Sequence, residues 1–240
     1  MASYSEAIYN ITFYWYSCFL CENFIFASSM KKKLILFSIG LAVFLIGYLV
    51  TNHFPLFEPR LLPIFEFEKQ IPFIPQTGWI YTSDYIYLIV MTFLLRKKPI
   101  DRYFWSFLIL NSINFSFYIA YPTIFPRENF PIESINFGNL ALHLARLVDA
   151  PTNCFPSSHI GACMLGALFL LTISRKHFFI FLTWAGLISL STLTVKQHYI
   201  IDIPGGIIVG IISFLPFFGK EIFKPSRGRT WTGGGSLSRT

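Results

Sequence analysis

Two histidines, one carboxylate and two serines lie at the ends of neighbouring apolar stretches in the second half of the chain. His198 and Asp202 are four residues apart, and His159 directly follows Ser157 and Ser158. At the start of a helix such residues share one side, so Asp202 could hold one imidazole nitrogen of His198 and leave the other free to attack. A helix beginning near His159 would offer free N–H groups to an anion. These groups suit phosphoryl transfer, which needs a nucleophile, an acid and donors around the phosphate oxygens.

The elements between the two motifs must bring them together. If the apolar segments His159–Ser174 and Phe178–Val195 form an antiparallel helical hairpin, both motifs return to one face of the molecule. Simpler interpretations exist for each part, because serines also cap helices and a lone His-x-x-x-Asp can be a local hydrogen-bonded pair. Cys154 and Cys163 flank His159, which leaves a zinc site as an alternative.

The composition indicates a membrane protein. Of the 240 residues, 54% are hydrophobic and 13% are charged, whereas a soluble domain is about 25% charged. The net charge is +7, but the basic residues lie at the ends of apolar segments, and we therefore expect no nucleic-acid partner.

Six segments approach the ~20 apolar residues that a bilayer-spanning helix needs. They are Leu34–Phe54, Gly78–Leu95, Tyr103–Ile124, His159–Ser174, Phe178–Val195 and Ile201–Phe218. The expected fold class is all-α, a polytopic bundle of six transmembrane helices formed by residues 30–219. Residues 1–29 are either an interfacial segment or an extension ahead of a second start at Met30. Residues 220–240 are rich in Gly, Ser and Arg, which predicts a disordered cytoplasmic tail.

The positive-inside rule orients this predicted bundle. With the N-terminus inside, 14 of the 19 basic residues lie on the cytoplasmic side. The five exceptions are Arg60, Lys69, Arg127, Arg146 and Lys196. Both termini are therefore predicted to be cytoplasmic, and both histidine motifs to lie on the periplasmic or extracytoplasmic face. Asp84, near the outer end of the second segment, either faces the site or hydrogen-bonds to a neighbouring helix.

The histidine motifs resemble those of the type 2 phosphatidic acid phosphatase superfamily, which also includes vanadium haloperoxidases and sphingolipid synthases. The family's Pro-Ser-Gly-His motif is matched by Pro156, Ser157, Ser158 and His159. Its Ser-Arg-x5-His-x3-Asp motif is matched by Ser191, Thr192, His198 and Asp202. The resemblance covers approximately residues 72–206.

This resemblance implies a metal-independent enzyme without a cofactor, acting on a phosphorylated lipid. It implies that His198 becomes a phosphohistidine, that His159 protonates the leaving oxygen and that Asp202 orients His198. Ser157 and Ser158 would then help to bind the phosphate.

The chain departs from the family pattern in its positive charges. The first motif, Lys-x6-Arg-Pro, is matched only at Arg127, with alanine and glutamate in the places of its lysine and proline, and Arg146 is the alternative source of this charge. Thr192 replaces the arginine of the third motif, and Lys196 is expected to supply that charge. The Ser-Thr start of the third motif and the segment Asp149–Pro156 ahead of the second motif resemble the inositol phosphorylceramide synthase-like branch. The identity of the substrate therefore cannot be inferred from the phosphatidic acid enzymes.

Three functions follow as alternatives. The first is an integral membrane phosphatase that hydrolyses a phosphate ester or diphosphate of a lipid on the outer face through a phosphohistidine. The second is a lipid phosphotransferase that passes the phosphoryl group to an alcohol from the same site. The third is a catalytically silent membrane protein.

Overall fold

The computed structural model describes residues 30–95 and 97–218. The predictions for residues 1–29 and for the tail 220–240 lie outside these residues. Most of the described chain is helical, which confirms the mostly α-helical prediction.

Nine helices organise the described residues. They are α1 Met30–His53, α2 Glu66–Lys69, α3 Gly78–Tyr81, α4 Ser83–Leu94, α5 Lys97–Ala120, α6 Leu140–Val148, α7 Ser158–Leu171, α8 Arg175–Thr194 and α9 Asp202–Phe218. Two short 3-10 helices cover Pro75–Thr77 and Arg127–Asn129. Strands β1 (Arg60–Leu61) and β2 (Thr123–Ile124) pair in parallel, a ladder that the sequence did not predict.

Within the described ranges, helices α1 and α8 are long and apolar enough to cross a membrane. The other predicted spans also contain helices, but these do not meet both criteria. The second predicted span is divided at Thr82 into α3 and α4, and α7 and α9 have 14 and 17 residues. Six membrane spans therefore stay a prediction.

Helix α7 lies at the centre of the bundle, packed against α4, α5, α8 and α9. Glycines allow α9 to approach it closely. A Cβ atom on Gly206 would lie 2.6 Å from the carbonyl oxygen of Ser157, and one on Gly210 would lie 2.7 Å from that of Gly161. Small residues of this kind let two helix backbones come into contact. The start of α9 is thereby held beside the start of α7, where the two histidine motifs lie.

Helix α1 is attached to the rest of the molecule near both of its ends. Lys32 forms an ion pair with Asp101 at 2.8 Å, and the Tyr48 hydroxyl donates to Asp149 Oδ1 at 2.7 Å. Between these contacts Gly47 packs against a phenylalanine of α5. These contacts fix the position of α1 against α5 and leave space between α1 and α4.

Candidate functional site

His198 lies in the turn between α8 and α9, and its Nδ1 atom faces two acceptors. These are Asp202 Oδ2 at 3.0 Å and the carbonyl oxygen of Cys154 at 3.1 Å. Because both neighbours can only accept, Nδ1 carries the proton and Nε2 keeps its lone pair. The sequence predicted that His198 and Asp202 share one side of a helix. In the structure Asp202 is the first residue of α9 and His198 lies in the turn before it, so the pair forms across this turn.

Three neighbours hold the turn that carries His198. The backbone N–H of Tyr199 donates to Asp202 Oδ2 at 2.8 Å, and that of Ile200 donates to Glu68 Oε1 at 3.0 Å. The Tyr199 hydroxyl donates to the carbonyl oxygen of Ile124 in β2 at 2.8 Å. Helix α2 and the short ladder therefore support the imidazole from outside the bundle.

Ser157 is the N-cap residue of α7, yet its hydroxyl makes no capping hydrogen bond. Instead its Oγ atom lies 3.4 Å from His198 Nε2. The first N–H groups of any helix lack an intrahelical partner and favour anions. The Ser157 hydroxyl thus lies at the free nitrogen of His198, directly before the first turn of α7. Ser158 is the first residue of that helix and is buried.

His159 has a carboxylate partner of its own. Its Nδ1 atom lies 2.6 Å from Asp84 Oδ2, and its Nε2 atom lies 3.0 Å from the Tyr81 hydroxyl. Asp84 therefore hydrogen-bonds to the neighbouring helix α7, and its partner there is a predicted site residue. Tyr81 was not predicted from the sequence, although it lies three residues before Asp84, a spacing that puts both on one side of a helical segment.

The two imidazoles face each other across a small gap. Their ring centroids are 5.8 Å apart, with an angle of 80° between the ring planes. His159 is 8% exposed and His198 is 6% exposed. The α7–α8 hairpin therefore brings together two buried Asp–His pairs, each bonded through Nδ1, beside the start of one helix. A nucleophile and an acid held in this way could act on opposite sides of one phosphorus atom.

Arg127 is already engaged by a carboxylate. Its two terminal nitrogens lie 2.7 Å from Oδ2 and from the carbonyl oxygen of Asp149. Burial alone would lower the pKa of Arg127, but the Asp149 carboxylate outweighs this effect and raises the pKa above its usual value. Most of its charge is thus compensated by Asp149, and its role in phosphate binding stays a prediction.

Arg146 and Lys196 both contact Phe130, Arg146 through the carbonyl oxygen and Lys196 through the ring. Arg146 donates to the carbonyl oxygens of Phe130 at 2.7 Å and of Val195 at 3.0 Å. Burial and the charge of Arg127 lower the pKa of Arg146 to about 10. Lys196 Nζ lies 5.3 Å from the centroid of the Phe130 ring, and burial lowers its pKa as well. Both cations therefore border the turn that carries His198.

The described residues give no support to a zinc site. Nowhere among them do three His, Cys, Asp or Glu side chains form a group that could hold a metal ion. Cys163 is buried within α7, and Cys154 faces His198 through its carbonyl oxygen rather than its thiol.

Comparison with known protein families gives a match. A family model described as the PAP2 superfamily matches residues 67–215, which is more than half of the chain. No curated protein and no solved structure matches the chain. The matched range contains both Asp–His pairs and Ser157.

Proposed function

Because the chain belongs to the PAP2 superfamily, we propose that it is an integral membrane phosphatase acting on a phosphorylated lipid. The observation that carries this proposal is the pair of buried imidazoles 5.8 Å apart, each bonded to a carboxylate through Nδ1. One pair can supply the nucleophile and the other the acid at the same phosphate, with no metal and no cofactor.

In the first step the Nε2 atom of His198 attacks phosphorus, and the bond from phosphorus to the lipid oxygen breaks. His159 gives the leaving oxygen the proton of Nε2, the ring nitrogen that lies beside the Tyr81 hydroxyl. Asp202 compensates the positive charge that develops on His198. Ser157 and the first N–H groups of α7 bind the phosphoryl oxygens.

In the second step a water molecule attacks the phosphohistidine. His159, now neutral at Nε2, takes the proton of that water, the bond between phosphorus and nitrogen breaks, and inorganic phosphate leaves. Asp84 compensates the charge on His159 whenever both ring nitrogens hold protons. Each histidine thus returns to its starting state.

We propose that the chain crosses the membrane six times with both termini inside. Helices α1 and α8 are long and apolar enough to span a bilayer, and 14 of 19 basic residues lie on the side assigned to the cytoplasm. The site then opens on the extracytoplasmic face and takes its lipid from the outer leaflet.

One observation also supports a phosphotransferase. Both histidines are less than a tenth exposed, so access of water to the phosphohistidine is restricted and a lipid alcohol could take its place. Labelled lipid substrate with added alcohols separates the two functions. The hydrolase releases inorganic phosphate whatever alcohol is present, whereas the transferase yields a new labelled lipid.

The test of the proposed function is phosphate release by purified protein from a panel of phospholipids and polyprenyl diphosphates. We expect His198→Ala to abolish release and His143→Ala, a histidine of α6 outside the site, to leave it unchanged. Vanadate should inhibit because it mimics the trigonal-bipyramidal transition state, and EDTA should not. Full activity of His198→Ala would contradict the proposal, as would the absence of release from every lipid tested.

A further inference from the structure

An apolar cavity of about 200 Å³ lies between α1, α4, α5 and α7. Its walls are mainly aliphatic and aromatic side chains, with Gly40 on α1, Leu88 on α4 and Phe107 on α5 among them. Apolar cavities of about 150 Å³ in other proteins bind a molecule as large as benzene. This space is therefore large enough for a ligand, and its lining excludes a strongly polar one.

The cavity is elongated along the helices. On α1 its lining extends from Leu36 to Phe44, and on α4 from Asp84 to Thr92. At 1.5 Å per residue, each of these stretches covers ~12 Å. A space of this length and volume fits a segment of one extended chain better than a compact group.

One end of the cavity reaches only half of the candidate site. Asp84, Ser158 and His159 form its polar end, whereas His198 is not among the described residues that line it. In an in-line displacement the nucleophile and the leaving oxygen lie on opposite sides of phosphorus. Whatever is attached to the leaving oxygen therefore extends from the His159 side, where this cavity begins.

We infer that the cavity holds one hydrocarbon chain of the lipid from which the phosphoryl group is removed. This inference rests on the proposed function. The first carbons of the chain lie beside His159, and the chain continues between α1 and α4. A hydrocarbon chain gains little hydrophobic free energy on moving from a bilayer into an apolar cavity. The cavity therefore selects a lipid by whether its chain fits the space. A side chain that fills the cavity excludes the lipid chain.

Gly40→Leu tests the inference. An added Cβ atom at Gly40 would lie 3.6 Å from Phe107, an ordinary contact, so the helix can accept the new side chain while its remainder fills the cavity. Gly186→Leu on α8 is the matched control, because nothing lies within 4 Å of a Cβ atom there. The measurement is the ratio of kcat/KM for hexadecyl phosphate to kcat/KM for butyl phosphate. We expect Gly40→Leu to lower this ratio roughly tenfold or more and Gly186→Leu to keep the wild-type value.

An unchanged ratio in a folded Gly40→Leu protein would overturn the inference. If the wild type released phosphate from neither ester nor from any lipid, the proposed function itself would fail. Leu88→Trp provides a second filling variant should Gly40→Leu not fold, with Val90→Trp as its control, since Val90 is 38% exposed on the same helix.

Crosslinking gives a readout that does not need turnover. Hexadecyl phosphate with a diazirine in its chain should label peptides of both α1 and α4 in the His198→Ala protein, and Leu88→Trp should suppress this labelling. Labelling that is unaffected by Leu88→Trp, or confined to other helices, would contradict the inference.

Discussion

The two carboxylates of the site hold their histidines through the same ring nitrogen. Asp202 lies 3.0 Å from Nδ1 of His198, and Asp84 lies 2.6 Å from Nδ1 of His159. In both pairs Nε2 is the atom that remains for chemistry. The two pairs differ in what faces that atom, a serine hydroxyl at His198 and a tyrosine hydroxyl at His159. The first neighbour suits phosphate binding, and the second occupies the hydrogen-bonding position at Nε2 from which a proton would reach a leaving oxygen.

We expect Asp202→Asn to lower turnover by about 10⁴-fold, the loss typical when an orienting carboxylate beside a catalytic imidazole becomes an amide. The amide group can donate a hydrogen bond toward Nδ1, so the ring loses its defined tautomer while the volume of the side chain is kept. Turnover and thermal unfolding should be measured on the same preparation. Wild-type turnover in a folded variant would show that Asp202 does not orient His198.

We expect Asp84→Asn to lower turnover of an alkyl phosphate by about 10²-fold or more, the range for loss of a general acid. In the first turnover, the release of nitrophenol from nitrophenyl phosphate should slow much less than the release of the alcohol from the alkyl phosphate, because nitrophenol needs no proton to leave. The measurement is the ratio of these two first-turnover losses, since the later hydrolysis of the phosphohistidine is the same for both substrates. Equal first-turnover losses on both substrates would contradict a role of Asp84 in protonating the leaving oxygen.

The sequence predicted the His198–Asp202 pair because both residues lie in one short segment, where spacing constrains contact. It did not predict the Asp84–His159 pair. A carboxylate inside an apolar segment signals a buried function, but its partner depends on how two distant helices are rotated against each other. That rotation is set by packing between the helices, and it cannot be inferred from the spacing of residues along one helix.

At the level of helices, contact between α7 and α9 aligns the two motifs. Because glycine has no side chain, the two helices are in contact through their main-chain atoms. A change of side-chain rotamer therefore cannot alter the separation of the helices. Any added atom must move one helix away from the other. The site is sensitive to such a movement because its hydrogen bonds span both helices.

We expect Gly206→Ala to lower turnover by about 10²-fold, since a shift of about 1 Å between reacting groups has this effect. Its new methyl group would lie 2.6 Å from the Ser157 carbonyl oxygen, so the start of α7 must move relative to His198. Gly186→Ala is the control and should keep wild-type turnover. Unchanged turnover in Gly206→Ala would show that the α7–α9 contact does not set the geometry of the site.

Helix positions were predictable, but their ends were less so. The third predicted span began at Tyr103, whereas α5 begins at Lys97. The charges at this end suggested a loop, but a proline such as Pro99 is tolerated in the first turn of a helix, where its missing N–H is not needed. The ladder between β1 and β2 joins segments about 60 residues apart, and no local pattern marks such a short pairing.

Over the whole molecule, the distribution of basic residues and the position of the site predict one orientation in the membrane. Phe137 is 79% exposed on the face of the histidine motifs, and Lys176 is exposed at the opposite end, at the start of α8. Cysteines at these two positions would show on which side of the membrane each end of the bundle lies.

We expect Phe137→Cys to react with an impermeant maleimide in intact cells and Lys176→Cys to react only after the membrane is opened. Cys18 and Cys21 should be changed to serine in both proteins, and the buried Cys154 and Cys163 can stay. Labelling of Lys176→Cys in intact cells, with protection of Phe137→Cys, would reverse the predicted orientation.

The dependence of the site on α9 has a consequence for biosynthesis. Tyr81, Asp84 and Ser157 leave the ribosome well before Asp202, and His198 has no carboxylate to orient it until α9 packs against α7. A nascent chain would therefore be inert toward lipids until its last described helix has been inserted. Translation arrested before residue 202 should yield a membrane-bound product without phosphatase activity, however well its earlier helices have folded.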